Sequence, residues 1–373
     1  MANGISLGVL QMQKTASKDA TPQYKVEPYG FLASLYAAHS PGVIENTKEA
    51  GHRKTVTIKA KKRVTPAEVA EEASCEVTNT HPYYEHTVSI ANIRQYALHL
   101  SDDLVSQFDA YASQKVAIPG STPTISGAMW EFMDSLQVAC SAILSAVNRD
   151  LLDLALANLG VNRRTGVNTA ATINIALNTT NNPLADGVTQ ILRDFRLNNM
   201  SGKIIAVGAG LFHNWILQQP AKGIDQSGYD SRIQAGGFDF YQDEDVTLQA
   251  GGGTTNHILV YEKDAVQIVE YMKYEGAFAG DKPGASSFGT IMLPMQTPDG
   301  RFVKVKFDYQ LRYNDCEQEF GYVDGVEGVM LQKGYNLIIS KNFGLYTIPS
   351  TAYKAADVLT GNRGSLRYNI TNA

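Results

Sequence analysis

SGAMWEFMDSLQVACSAILSAVNRDLLDLALANL, residues 126–159, decides how the rest of the chain is read. Met129, Phe132, Met133, Leu136, Cys140, Ile143, Leu144, Val147, Leu151 and Leu154 recur at spacings of three and four. That period marks one apolar face of a helix. Thr124 or Ser126 can cap its start, and Gly160 stands where a C-cap belongs. At 1.5 Å per residue the helix would run roughly 50 Å, well beyond the usual globular length. A coiled-coil seam would carry alternating charge at its flanking positions, and this stretch does not.

Upstream, residues 1–50 are polar and broken by Gly and Pro, with Tyr24, Tyr29, Phe31, Leu32, Leu35 and Tyr36 scattered among them. An arm with aromatics but no period of its own is expected to lie along another surface. In RKTVTIKAKKR (53–63), Val56, Ile58 and Ala60 alternate with Thr and Lys, the period of a strand with one wet face. Thr65-Pro66-Ala67-Glu68 then reads as a capping box opening a short helix through Ala73. Tyr83–Ile90 returns as a second strand. Two such strands bury little by themselves and need something to cover them.

Downstream, Thr172–Leu177 is a short strand candidate and a helix is expected after Pro183. Next come a strand at Lys203–Val207, a helix around Leu211–Gln219, strands near Phe238–Tyr241 and His257–Tyr261, and a helix near Ala265–Tyr271. Strands mixed with helices predict an α+β or α/β core. Thr297-Pro298-Asp299-Gly300 is a turn, and the RFVKVKFDYQLRY that follows alternates Val303, Val305, Phe307, Tyr309, Leu311 and Tyr313 with polar residues. Gly289–Pro294 before that turn can be its hairpin partner. Tyr335–Ser340 and Gly344–Ile348 read as two further strands, and the chain closes on Leu366–Ile370.

A chain of 373 residues is long for one core, so two linked cores are expected. The net charge of −5 disfavours high-affinity reading of a DNA duplex. Cys75, Cys140 and Cys316 form no CxxC pair, which suits a reducing compartment. No secretory signal and no apolar run of membrane-spanning length is visible. Catalytic signatures are missing as well. Gly208-Ala209-Gly210 follows a strand, but His213 occupies the third glycine position of a dinucleotide fingerprint. Cys75, His81, Glu85 and His86 have the residue types of a metal site without its spacing. No catalytic residue, cofactor or metal is expected.

The order of these elements is an arm, a two-stranded excursion, a very long helix, a mixed second region and then long strands. It resembles the major capsid protein of tailed double-stranded DNA phages, the Hong Kong ninety-seven-type fold. The resemblance implies an α+β chain divided into an N-terminal arm (1–50), an E-loop (51–100) and a P-domain with the spine helix (101–182). An A-domain (183–288), then P-domain strands with a C-terminal extension (289–373), would complete it. The closing IPSTAYKAADVLTGNRGSLRYNI is similar to extensions in phages of Bacteroidetes hosts. The family implies self-assembly into hexamers and pentamers, an icosahedral head around DNA held by non-specific contact, and assembly in the host cytoplasm. A portal, a possible decoration protein and a separate scaffolding protein are the other partners, with no membrane. Only about 50 residues precede the E-loop, too few for the cleaved scaffolding segment that some members carry.

For subunit contact, the E-loop offers Arg53, Lys54, Lys59, Lys61, Lys62 and Arg63 at one end and Glu68, Glu71 and Glu72 at the other. Opposite charges on one excursion suit head-to-tail packing around a ring. Reversing Lys59, Lys61 and Lys62 to Glu is therefore expected to impair assembly and spare the monomer. The alternatives are an encapsulin-like nanocompartment shell, a tail tube or sheath subunit, and a nucleotide-dependent enzyme using the Gly208–Gly210 turn. Tail tube subunits are mostly β, which the long helix disfavours.

Overall fold

The computed structural model describes residues 25–26, 29–37, 44–45, 55–61, 83–117, 127–160, 173–177, 183–198, 200, 203–208, 232–235, 238–246, 256–263, 265–273, 288–296, 302–315, 331–347 and 364–372. Along the chain, helix α1 (Gly30–Ala37) is followed by strands β1 (Ile44–Glu45), β2 (Thr55–Lys61), β3 (Tyr83–Ser89) and β4 (Asn92–Leu100). Helices α2 (Asp102–Ala117) and α3 (Gly127–Ala157), strand β5 (Ile173–Leu177) and helix α4 (Pro183–Leu197) come next. The named elements that follow among the described residues are strands: β6 (Ile204–Gly208), β7 (Arg232–Ala235), β8 (Phe238–Gln242), β9 (Asn256–Glu262), β10 (Val266–Tyr271), β11 (Phe288–Gln296), β12 (Phe302–Asn314), β13 (Gly334–Thr347) and β14 (Ser365–Asn372). The architecture is α+β, as expected.

Helix α3 spans 31 residues, roughly 46 Å. Its predicted stripe is the buried one, with Phe132, Met133, Leu136, Cys140, Ile143, Leu144, Val147 and Leu151 all in the core. Each such side chain contributes roughly 1.5–3 kcal/mol relative to exposure. The helix stops where the Asn158 amide side chain bonds the Leu154 carbonyl, and the Gly160 N–H bonds Ser365.

The stripe packs on a five-stranded sheet ordered β10-β13-β12-β11, with β4 also on β13. The predicted β11–β12 hairpin is present, in register from Phe288↔Gln310 to Gln296↔Phe302. Strand β13 is long enough to serve three neighbours. It pairs β12 along 334–340 and β10 along 342–347, and β4 takes its other edge along 335–343. The expected break between Tyr335–Ser340 and Gly344–Ile348 is absent, so one strand replaces two. Gly344 is needed there for closeness, because a Cβ would sit 2.8 Å from the Ser89 carbonyl oxygen.

A six-stranded sheet, β5-β14-β9-β6-β8-β7, forms the second layer. Helix α4 lies near β5, and the buried Tyr368 hydroxyl bonds Asp194 of α4 at 3.0 Å. Strands β9 and β10 are joined by a tight turn closed by Ala265 N–H to the Glu262 carbonyl, 2.9 Å. That turn carries the chain from one sheet into the other. It also corrects the helix expected at Ala265–Tyr271: β-branched Val266, Ile268 and Val269 form a strand buried on both faces, which erases the alternation.

One buried cluster runs through α1, α3, the five-stranded sheet and Ile205, Val207, Leu259 and Tyr261 of the six-stranded sheet. Three stretches join other partners than expected. Asn92–Leu100, read with the excursion, belongs to the five-stranded sheet. Ser365–Asn372, read as an extension, lies between β5 and β9. Residues 30–37, read as part of an arm on another surface, form a helix buried in this chain's own core, with Phe31, Leu32, Ala33 and Ser34 at 0% exposure. The helices expected at 66–73 and 211–219 lie outside the described residues.

Gly30 seats that helix. A Cβ on it would fall 1.9 Å from the Gln242 carbonyl oxygen, a distance only displacement of α1 from β8 could relieve. Gly30→Ala is expected to destabilise the protomer by about 3 kcal/mol, at the upper end for overpacking, as read by urea denaturation.

Candidate subunit-interface elements

The two strands expected as an excursion, β2 and β3, are joined by a third, β1, from the stretch read as arm, in the sheet β1-β2-β3. Strands β2 and β3 are antiparallel, from Thr55↔Ser89 to Lys61↔Tyr83. Their apolar side chains Val56, Ile58, Val88 and Ile90 do not enter the main core. They form a separate small cluster with Val269 and Tyr346 of the five-stranded sheet. His86 stacks against Tyr346 with ring centroids 5.8 Å apart. Burial pushes the Tyr346 hydroxyl up to about 12, so it stays protonated at neutral pH.

Of the predicted contact residues, Lys59 and Lys61 lie on β2, with Lys59 in register with Glu85 and Lys61 with Tyr83. Arg53, Lys54, Lys62, Arg63, Glu68, Glu71 and Glu72 lie outside the described residues, as do Cys75 and His81 of the weak metal cluster. Among the described residues no group of three or more His, Cys, Asp or Glu could hold a metal ion. None of their helices is long and apolar enough to cross a membrane.

Sequence reasoning missed two buried polar clasps that hold α1. In the first, the Asp243 carboxylate accepts the Phe31 N–H at 2.8 Å, and the Asn148 side-chain carbonyl accepts the Leu32 N–H at 3.0 Å. The Asn148 amide donates to Asp243 at 2.9 Å, and Asp243 also accepts the Asp245 N–H at 3.0 Å. Orphan donors at the helix N-terminus are thereby satisfied from α3 and from the loop after β8. Burial raises the Asp243 carboxyl above the usual range, and these hydrogen bonds oppose the rise.

In the second clasp, Tyr36 donates its hydroxyl to Glu270, and Glu270 pairs with the fully buried Lys341 at 2.5 Å. Lys341 also donates to the Lys306 carbonyl at 3.0 Å and lies 5.3 Å from the Phe307 ring centroid. Burial, with Glu270 alongside, keeps the Tyr36 hydroxyl protonated. Parity was the available signal. Lys341 shares its strand face with Leu337, Ile339 and Phe343, and Asn148 interrupts the α3 stripe between Leu144 and Leu151.

No family model matches this sequence, and no curated protein matches it. The chain aligns over most of its length with several solved structures. One is the capsid asymmetric unit of cyanophage Pam1, 11% identical, covering 96% of this chain and 98% of that one, TM-score 0.40. Another is the capsid of cyanophage P-SCSP1u, 11% identical, covering 86% and 84%, TM-score 0.41. A virus-like particle from Pyrococcus furiosus is 8% identical, covering 98% and 96%, TM-score 0.35.

Proposed function

We propose that this chain is a shell-forming structural protein, the major capsid protein of a tailed double-stranded DNA phage. In this reading α3 with the five-stranded sheet is the P-domain, and the six-stranded sheet is the A-domain. The sheet β1-β2-β3 is the E-loop, and hexamers and pentamers of the chain tile an icosahedral head around DNA in the host cytoplasm. The role is structural, not catalytic.

The observation that carries this reading is the excursion. Among the described residues, the apolar side chains of β2 and β3 pack on the rest of the chain in the small cluster with Val269 and Tyr346. A sheet of that size with so little apolar cover is marginal alone and gains stability from a neighbour's surface. Asp243 and Lys341, both buried, and the half-buried Glu270 hold α1 in place, a structural use of their charge.

Sedimentation velocity over a rising concentration series tests this, with and without neighbouring genes co-expressed. Species of five and six protomers, or larger closed particles, are expected. A monomer or dimer at every concentration and under both conditions would overturn the proposal.

A further inference from the structure

Among the described residues, the passages of the chain between the two large sheets converge on one place. The chain leaves α3 at Gly160, turns from β9 into β10 at Glu262–Ala265, and enters β14 after Gly364. There the Gly160 N–H donates to the Ser365 carbonyl at 2.8 Å, and the Glu262 N–H donates to the Gly364 carbonyl at 2.9 Å. Ser365 in turn lies in register with Tyr261. Gly364 has φ +71°, a conformation that glycine adopts without steric cost. A few loop positions held by backbone bonds are what a pivot between two layers needs. Helix α1 ties the same layers at a second place. Asn148, which holds it, lies about three turns before Gly160, roughly 18 Å along α3. On the six-stranded side, Phe31 packs edge-on to Tyr261 at 6.1 Å, Ser34 bonds the Tyr261 hydroxyl at 2.5 Å, and the Phe31 N–H bonds Asp243. On the other side, Leu32 and Tyr29 bond α3 at Asn148 and Ser141, and Tyr36 bonds Glu270 of β10. Beside α1, Arg149 of α3 pairs with Asp245 at 3.3 Å.

We infer that α1 is a latch that holds the two sheets at one angle. Undocking it lets the six-stranded sheet swing about Gly160, Glu262–Ala265 and Gly364, with both sheets intact. At eight residues α1 is too short to persist as a helix in water by itself. Its N-terminal N–H donors are satisfied by Asn148 and Asp243, so the helix keeps its form where those groups hold it. Order in α1 and the angle between the sheets are therefore one two-state equilibrium. Phe31, Leu32 and Leu35, each at most 2% exposed, keep the docked state dominant in the wild type. The device gives one chain two inter-sheet angles without unfolding either sheet. It works within a single copy and does not depend on shell formation.

The test reads the inter-sheet distance and the order of α1 together. Nitroxide labels on Tyr313→Cys of β12 and Leu197→Cys of α4, both exposed sites, report the distance by double electron–electron resonance. Cys75→Ser and Cys316→Ser remove competing thiols, and the buried Cys140 stays. The labelled chain should give one narrow distance. Gly30→Ala, which drives α1 from the Gln242 carbonyl, should add a second distance. It should also lower hydrogen-exchange protection of 30–37 at least about tenfold while β9, β12 and β13 keep theirs. Should Gly30→Ala fail to fold, the labelled chain in subdenaturing urea serves instead. Exchange of 30–37 and the second distance should then rise along the same urea curve, below the range in which the sheets unfold. A single narrow distance after 30–37 has lost protection overturns the inference and makes α1 a passenger. Loss of protection in β9 and β13 together with 30–37 overturns it as well, because the sheets and α1 then unfold as one unit.

Discussion

Glu270→Ala is expected to lower protomer stability by about 3–5 kcal/mol, the usual result of removing one partner from a buried ion pair. Lys341 has 0% exposure, and among the described residues its ammonium without Glu270 keeps the Lys306 carbonyl and the Phe307 ring. Tyr36 loses the acceptor of its hydroxyl in the same step. The paired replacement Glu270→Leu with Lys341→Met should be far milder, because it removes both charges from the interior together. Urea denaturation of the three proteins measures the contrast. Equal loss in the single and double variants would show that packing, not the uncompensated charge, sets the effect.

Asn148→Leu is the second large effect, at about 3 kcal/mol. The substitution orphans the Leu32 N–H and removes a donor from Asp243, two buried groups costing about 1–3 kcal/mol each. Its signature should be local, with amides of 30–37 losing hydrogen-exchange protection before those of β12 and β13. The Asp243 carboxyl adds a pH dependence. Because burial raises it in the folded state, its contribution is fully present below the ordinary aspartate range and is lost as pH rises through the raised folded value. The stability difference between wild type and Asp243→Ala should therefore shrink with rising pH. A difference that grows over that window would contradict the assignment.

Legibility in the sequence followed how local each signal was. The α3 stripe and the β11–β12 hairpin were readable because period and turn chemistry lie within one stretch of chain. Strand β10 was not, since Val266, Ile268 and Val269 are buried on both faces and leave no alternation to separate strand from helix. The places of Asn92–Leu100 and Ser365–Asn372 depend on partners more than 150 and 100 residues away, β13 and β9 respectively, which no local pattern encodes. The stretch 30–37 was misread for a related reason. Its aromatics were seen, but their destination depends on Asn148, Asp243 and Glu270, each more than 100 residues distant. The basic strand of the excursion and the two faces of β12 were both legible as alternation.

Negative-stain electron microscopy of the expressed chain, alone and with its neighbouring genes, tests the central claim most directly. Closed icosahedral shells are the predicted result, and DNA inside them would separate a virus head from a nanocompartment holding protein cargo. A field of monomers or dimers under every condition would contradict the account.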